Sequence, residues 1–199
     1  ANTPISVQPL DAEGKALQLM RSWFVGMPGE RVSCVGCHAG HHRSPSNKTT
    51  LALDKTLAEI SPWHGPTRGF SFDREVQPVL DRYCIGCHND QPRDDGTRIP
   101  DLRRQAAVHP VAAGDSYNHG TKFSPSYLAL RRFVRSPTIE SDMHLLTPLE
   151  FHADTTRLVQ MLRKGHHGVR LDEEAWDRLV TWIDLGTPAH GTWREIFGD

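Results

Sequence analysis

Residues 72–88 read FDREVQPVLDRYCIGCH, and this stretch decides the fold prediction for the whole chain. Val76, Val79, Leu80 and Tyr83 follow the i, i+3, i+4, i+7 spacing of an amphipathic helix. Pro78 falls in the first turn of that helix, where a missing backbone N–H breaks no hydrogen bond. The stretch therefore predicts a helix that runs directly into a CxxCH motif.

The CxxCH motif occurs twice, as CVGCH at Cys34, Cys37 and His38 and as CIGCH at Cys84, Cys87 and His88. Attachment of haem c needs two thiols that add to the vinyl groups of one porphyrin, and a neighbouring imidazole that reaches the iron. The alternative is a four-cysteine zinc site, which also uses CxxC pairs but requires neither histidine. Because histidine follows both pairs, the sequence favours two haem c groups and leaves no cysteine for a structural disulfide.

The sixth ligand of the second haem is sought between the last two predicted helices, where an ordinary class I cytochrome c places a methionine loop. This sequence has His166 and His167 there, whereas Met161 has helical spacing with Leu158 and Leu162 and is predicted to belong to the core. We therefore predict a His/His-ligated second haem, with His166 slightly favoured over His167. The identity of this ligand matters because it sets the reduction potential.

The first haem has no obvious second ligand. His41 and His42 follow His38 too closely to reach the opposite face of the ring, and could replace His38, bind a zinc ion beside the haem, reach the other haem, or face solvent. A lone histidine among apolar residues is more often a hydrogen-bonded core residue than a ligand. Farther candidates for ligation are His64, His119, Met143, His144 and His152.

The remaining pattern predicts helices near residues 11–24, 51–60, 126–135, 155–164 and 172–185, with Gly165 and Gly186 as C-caps. Residues 61–69 are rich in Pro and Gly and separate an N-terminal haem 1 lobe, residues 1–69, from a haem 2 lobe, residues 70–199. Residues 89–122 are polar and irregular. No alternating strand pattern is present, so we predict an all-α, cytochrome c-like dihaem domain with long irregular loops.

The composition limits the functional classes. The chain has 199 residues, a net charge of −1 with interspersed charges, and twelve histidines. It shows neither the basic patch of a nucleic-acid-binding protein nor an apolar run long enough to span a membrane. Its start lacks the features of a signal peptide, which is expected of a mature or excised chain. Covalent haem attachment is extracytoplasmic in bacteria, so we predict a periplasmic or equivalent location.

Three segments give the chain a family resemblance: LQLMRSWFVGMPGERVSCVGCH at 17–38, SDMHLLTPLEFHADT at 141–155 and KGHHGVRLDEEAWDRLVTWIDLGTPAHGTW at 164–193. They resemble the C-terminal dihaem region of hydrazine synthase alpha subunits and related multidomain cytochromes. The resemblance implies a domain of a longer polypeptide, with an electron-transferring bis-histidine second haem. It also implies a catalytic first haem with a tyrosine ligand shortly after CxxCH, but here His42 stands near that position.

We therefore predict an electron-transfer cytochrome that exchanges electrons with a redox partner protein or an adjacent domain of a longer polypeptide, and the sequence leaves a homo-oligomer open. The alternative is a catalytic haem domain that acts on small nitrogen species or peroxide at the first haem. Ligand access to the iron distinguishes the two, because an open iron site permits chemistry and a six-coordinate iron does not.

Overall fold

The structure is a computed structural model that describes residues 3–20, 22–33, 49, 51, 53–57, 59–109, 121–137 and 146–198. Six α-helices lie within these residues: α1 (Phe72–Glu75), α2 (Gln77–Tyr83), α3 (Pro125–Arg131), α4 (Arg157–Arg163), α5 (Glu173–Asp184) and α6 (Trp193–Phe197). Two 3₁₀ turns, Ala153–Thr155 and His166–Gly168, flank α4. The β pairing in this part of the chain consists of three isolated antiparallel bridges, Ile5–Phe24, Leu10–Ala16 and Val108–Phe123.

The helix predicted before the second CxxCH motif is confirmed, as α1 and α2 in succession. Val76 joins them with φ −102° and ψ −42°, and Pro78 lies in the first turn of α2 as the sequence predicts. Val76 and Leu80 are buried, at 0% and 2% exposure. The apolar stripe therefore anchors α2 in the core and fixes the position at which Cys84 follows it.

The core of the described chain lies where α1, α2, α3, α4 and α5 meet. Trp182 of α5 is fully buried, and its ring lies 5.3 Å from the ring of Phe72, which in turn contacts the Tyr127 ring at 5.3 Å. Burial of one such side chain contributes about 1.5–3 kcal/mol to the stability of the fold. These contacts fix α5 against α1 and α3, and so fix the loops at their ends.

The capping residues of α4 and α5 are the ones the sequence predicts. Gly165 and Gly186 have φ of +87° and +79°, a left-handed backbone that favours glycine and that ends each helix. At the start of α5 the Asp172 carboxylate accepts a hydrogen bond from the Ala175 N–H at 2.9 Å. The predictions for α3, α4 and α5 are therefore confirmed to within a few residues at each end.

The predicted helix at residues 11–24 is wrong. The Asp11 carboxylate accepts hydrogen bonds from the backbone N–H groups of Glu13 and Lys15, at 2.8 and 2.9 Å, and closes a turn. A bridge between Leu10 and Ala16 follows from that turn. An aspartate at this place can either cap a helix or fold the chain back on itself, and here it does the second. The described residues between 49 and 60 likewise form turns and not the weak helix predicted there.

The segment at residues 8–18, which we call the N-terminal segment, packs on the far end of the chain. The Gln8 side chain donates to the Asp184 carbonyl at 2.8 Å, and the Ala16 N–H donates to the Asp184 carboxylate at 2.8 Å. The Leu149 N–H donates to the Leu17 carbonyl at 2.8 Å. The N-terminal segment is therefore fastened to α5 and to the residues before α4.

The breaker-rich stretch at residues 61–69 is tied to α5. The Trp63 indole donates to Asp177 at 2.7 Å, and Arg68 forms an ion pair with the buried Glu75 at 2.7 Å. Arg178 also contacts Glu75 and lies over the Trp63 ring. The division into lobes at residues 69 and 70 stays a prediction.

The predicted fold class, an all-α domain with a cytochrome c-like fold, is wrong. Helices account for 30% of the structure and β pairing for 4%, and the helices are short. The described elements give no support to a cytochrome c fold. The physical reason is that helical spacing is confined to a few short stretches. Between these stretches the chain is shaped by Pro, by Gly and by turns that side-chain hydrogen bonds close. None of the described helices is long and apolar enough to cross a membrane.

Candidate functional site

An apolar cavity lies where α2 ends, beside α4 and α5. It holds about 190 Å³ and, counted out to its open mouth, about 870 Å³. Aliphatic and aromatic side chains make up most of its wall, and the polar groups in it are few. The lining residues are Leu80, Cys84, His88, Arg93, Ile99, Pro100, Leu102, Leu130, Phe133, Leu158, Met161, Leu162, His166, Leu171 and Leu179.

The second cysteine pair sits at the C-terminal end of α2. Cys84 is the residue that caps the helix, and its N–H donates to the Leu80 carbonyl at 2.8 Å. The N–H groups of Cys87 and His88 then both donate to the Cys84 carbonyl, at 3.1 and 2.9 Å. This tight turn brings Cys84 and His88 to one wall of the cavity, with Cys84 half-buried and Cys87 exposed.

His88 and His166 face each other across this cavity. Their ring centroids are 6.0 Å apart, and the ring planes are inclined by 34°. An imidazole nitrogen lies about 2.0–2.1 Å from a bound metal, taking zinc as the guide, so two imidazoles on opposite sides of one metal have centroids about 6 Å apart. The observed separation matches that arrangement, although the two residues are far apart in sequence.

The loop at residues 99–102 orients His88. The ring Nδ1 of His88 lies 2.9 Å from the Pro100 carbonyl oxygen, and because a carbonyl only accepts, this nitrogen carries the proton. The Leu102 N–H donates to the His88 carbonyl at 3.1 Å. Holding one ring nitrogen in this way fixes the tautomer and leaves Nε2 with a lone pair, the form that binds a metal.

The adjacent histidines differ in their surroundings. His166 is half-buried and lines the cavity, whereas His167 is exposed, has a φ of +47°, and lies 3.4 Å from the Arg93 guanidinium. Burial lowers the pKa of His166, and the nearby His167, His88 and Arg93 lower it further. The imidazole of His166 is therefore biased toward its neutral form, in which a ring nitrogen can ligate a metal.

The cysteine pair does not have the character of a redox-active dithiol. Burial raises the pKa of Cys84 to about 11, and the neighbouring Cys87 raises it as well. Reactive cysteines have lowered pKa values because they lie at helix N-termini or beside cations. Cys84 lies at a helix C-terminus in an apolar wall, so its thiol is kept protonated and is not an activated nucleophile.

The other described candidates have structural roles. Met161 packs against the core, as predicted, and also forms part of the cavity wall. His152 is buried, with Nε2 3.0 Å from the Asp11 carboxylate and Nδ1 accepting from the Asp154 N–H at 3.2 Å. His64 lies 2.6 Å from the Asp177 carboxylate. Both imidazoles are engaged away from the cavity.

Several predicted site residues lie outside the residues that the structure describes. These are Cys34, Cys37, His38, His41, His42, His119, Met143 and His144.

The predicted set of cofactors, two haem c groups with a zinc ion near the first, is wrong. Within the described part of the chain, no group of three or more His, Cys, Asp or Glu side chains is placed to hold a metal ion. Zinc requires three or four such protein ligands. What this part of the chain offers is a facing pair of imidazoles beside two thiols.

Most of the cavity lining was missed by sequence reasoning, including two residues that act on the histidines, Arg93 and Pro100. Arg93 and Pro100 both belong to the irregular stretch after the second CxxCH, where no periodicity singles out any position. A turn closed by the Arg93 and Thr97 backbone, with an N–H to carbonyl distance of 2.9 Å, places Arg93 at the cavity. Its guanidinium is the one permanent charge among the described residues that line the cavity.

The comparisons with known proteins give one finding. Residues 1–39 match the family model of the hydrazine synthase alpha subunit middle domain. The match ends just after the first CxxCH and supports the predicted family loosely, as a middle domain and not as a C-terminal dihaem domain. No curated protein and no solved structure matches this chain.

Proposed function

We propose that this chain is a c-type cytochrome module for one-electron transfer, in which Cys84 and Cys87 would hold a single haem covalently and the imidazoles of His88 and His166 would ligate its iron. The proposal concerns attachment and ligation and does not depend on a class I fold. The observation that carries it is the facing of His88 and His166 at 6.0 Å across an apolar cavity that also contains Cys84. A haem held there would supply one-electron oxidation and reduction at its iron.

The residues of the chain would keep that site rigid and would exclude water from it. The Pro100 carbonyl holds the His88 ring, and the caps of α4 and α5 hold the turn that carries His166. Leucine and phenylalanine side chains of the cavity would exclude water from the haem, and an apolar surrounding favours the less charged, reduced state of the iron. His88 and His166 would ligate the iron in both oxidation states, so little rearrangement of the chain would accompany the transfer of an electron.

Two other functions of a CxxCH motif are less compatible with this geometry. A zinc site would need further ligands near Cys84, Cys87 and His88, and no such group exists among the described residues. A dithiol oxidoreductase would need a thiol with a lowered pKa, and the pKa of Cys84 is raised. In the haem proposal the thiols of Cys84 and Cys87 are the attachment points of the porphyrin, and their chemistry suits that role.

The setting of the module is part of the proposal. The similarity of residues 1–39 to a hydrazine synthase alpha domain, together with the resemblance of the later segments, supports a region of a larger multidomain redox protein related to that family. Its partner would be an adjacent domain or a separate redox protein. Since covalent haem attachment takes place outside the bacterial cytoplasm, we propose a periplasmic or equivalent location.

The test is maturation in cells that contain a cytochrome c assembly system. Cys34→Ser and Cys37→Ser are introduced together, so that the second pair is measured alone. Intact-mass analysis should then show one covalently bound haem, and the absorption spectrum should be low-spin in both oxidation states. Adding Cys84→Ser and Cys87→Ser should abolish both signals. A protein without haem in the first variant would overturn the proposal.

Carbon monoxide separates electron transfer from the catalytic alternative. In the Cys34→Ser, Cys37→Ser protein, His88 and His166 should keep carbon monoxide from the ferrous iron, and the spectrum should not change. Rapid binding of carbon monoxide would show an open ligand position, and would favour an enzyme that acts on small nitrogen species or peroxide.

A further inference from the structure

A groove lies on the outside of the wall that bears His166. Helix α4 contributes Arg157, Gln160, Met161 and Lys164 to it, and the following turn contributes residues 165–167. The groove has a volume of about 560 Å³ and is open to solvent. Met161 and His166 line both the groove and the apolar cavity, so these two side chains are the shared wall between them.

The groove is positively charged in a chain whose net charge is −1. Residues 157–170 contain Arg157, Arg163, Lys164 and Arg170 but no Asp or Glu. Arg163 is neutralised by Asp154 and Glu13, at 3.0 and 2.7 Å. Among the ion pairs of the described residues, none involves Arg157 or Lys164. Two exposed cations therefore face the groove without a described carboxylate.

Helix stability does not account for both cations. Lys164 caps the C-terminus of α4, where a positive charge is favourable, but Arg157 is the first residue of the helix, where the helix dipole disfavours it. The Arg157 guanidinium is held 5.2 Å from the Phe133 ring centroid, and Phe133 is itself part of the cavity wall. This contact fixes a charge at the border of the groove.

We propose that this groove docks an acidic face of the redox partner, so that electrons pass through the wall formed by Met161 and His166. The inference rests on the proposed function and names the partner surface for the same site. Complementary charge steers association and orients the partner, and it places the partner's carboxylates opposite Arg157 and Lys164.

The electrostatic field at this wall can be measured with charged small-molecule oxidants, so the partner itself need not be known. The protein with Cys34→Ser and Cys37→Ser is reduced and mixed by stopped flow with anionic ferricyanide or with a cationic cobalt or ruthenium complex. At about 10 mM ionic strength, Arg157→Gln with Lys164→Gln should slow the ferricyanide reaction about threefold or more, and the effect should vanish near 0.5 M salt. The reaction with the cation should not slow.

The matched control is Lys55→Gln with Lys122→Gln, which removes the same charge from two exposed lysines that do not line the groove. An equal slowing in this control, or an unchanged ferricyanide rate in the groove variant, would overturn the docking inference. If neither oxidant reacts with the unsubstituted protein, the proposed function fails instead, so the two failures are distinguishable.

A glutamate oligopeptide distinguishes an acidic surface from a small anion. It should slow the ferricyanide reaction of the protein that keeps Arg157 and Lys164, and should not affect the groove variant. Inorganic phosphate, compared with chloride at equal ionic strength, should have no extra effect. Inhibition by phosphate alone would assign the groove to a small anion and would contradict the proposal.

Discussion

The histidines at the apolar cavity and the histidine beneath the N-terminal segment show how differently one side chain can be used. His152 has both ring nitrogens engaged, one with the Asp11 carboxylate and the other with the Asp154 N–H. His88 has one nitrogen on the Pro100 carbonyl, and its ring faces His166 across the cavity. The first region uses imidazole to join two segments, whereas the second leaves imidazole lone pairs available.

His152 is more deeply buried than His166. What decides their chemistry, however, is the hydrogen-bond partner of each ring nitrogen. A histidine is available to a metal only where a ring nitrogen has no partner of its own. The following predictions test this contrast, from the largest expected effect to the smallest.

Replacing His166 by alanine should have the largest effect. Loss of this imidazole should turn the haem that we propose at Cys84 and Cys87 from low-spin to high-spin, and should raise its potential by about 0.1 V or more, within the range of about 0.8 V that axial ligands control. Electron paramagnetic resonance and potentiometry measure both changes. His167→Ala is the control, since that ring is exposed, and it should leave the low-spin signal in place. The reverse result would make His167 the ligand.

Replacing His152 by alanine should affect stability and not the haem spectrum. It removes two hydrogen bonds and leaves the Asp154 N–H and the Asp11 carboxylate without these partners, which should cost about 2–3 kcal/mol of unfolding free energy. Urea denaturation measures this loss. His64→Ala, which removes an exposed contact with Asp177, should cost less. A change in spin state in His152→Ala would contradict the division between the two regions.

The buried carboxyl of Asp184 should make the anchoring of the N-terminal segment depend on pH. Its pKa is raised from 3.8 to about 6, chiefly by burial and also by the nearby Asp11, whereas the Ala16 N–H, His152 and Lys15 act in the opposite direction. Because the folded pKa is raised, the stabilisation is complete below about pH 4 and is lost as the pH rises through 6.

Asp184→Asn keeps an acceptor for the Ala16 N–H and removes the titration. Between pH 5 and pH 8, the unsubstituted protein should lose roughly 1–2 kcal/mol more unfolding free energy than the variant, below the roughly 3 kcal/mol that two pKa units represent. Urea denaturation at several pH values measures the difference. Parallel pH profiles for the two proteins would show that Asp184 does not titrate in this range.

Replacing Arg93 by glutamine should have the smallest effect. A fixed positive charge at the cavity favours the reduced iron, so its loss should lower the midpoint potential by about 20–60 mV, where 59 mV is a tenfold change for one electron. Arg98→Gln is the control, because Arg98 is exposed and paired with Asp90 at 3.0 Å. A potential that falls equally in both variants would show that Arg93 has no special position at the cavity.

The parts that could be predicted from the sequence are those governed by local physics. The spacing of Val76, Val79 and Leu80 and the place of Pro78 determine α2 within one short window. Gly165 likewise ends α4 because its own backbone adopts the left-handed conformation that favours glycine. Local rules failed at Asp11, since the same side chain can cap a helix or close a turn, and the contacts of the segment with Asp184 favoured the turn.

The candidate site was predictable only in its residue types. The motif identifies Cys84, Cys87 and His88, but the choice between His166 and His167 depends on which ring a three-residue turn directs into the cavity. Arg93 and Pro100 come from a stretch without periodicity, so their position at the cavity is a property of tertiary structure alone. The prediction of the fold class was wrong for the same reason, because most of the described chain lies in loops.

The fastening of Gln8 and Ala16 to Asp184 has a consequence for the order of events during synthesis. The partners in these two hydrogen bonds lie 176 and 168 residues apart along the chain. At roughly 5–20 residues per second, the ribosome adds Asp184 about 10–30 s after it adds Ala16. The N-terminal segment can therefore take up this position only after α5 has been synthesised.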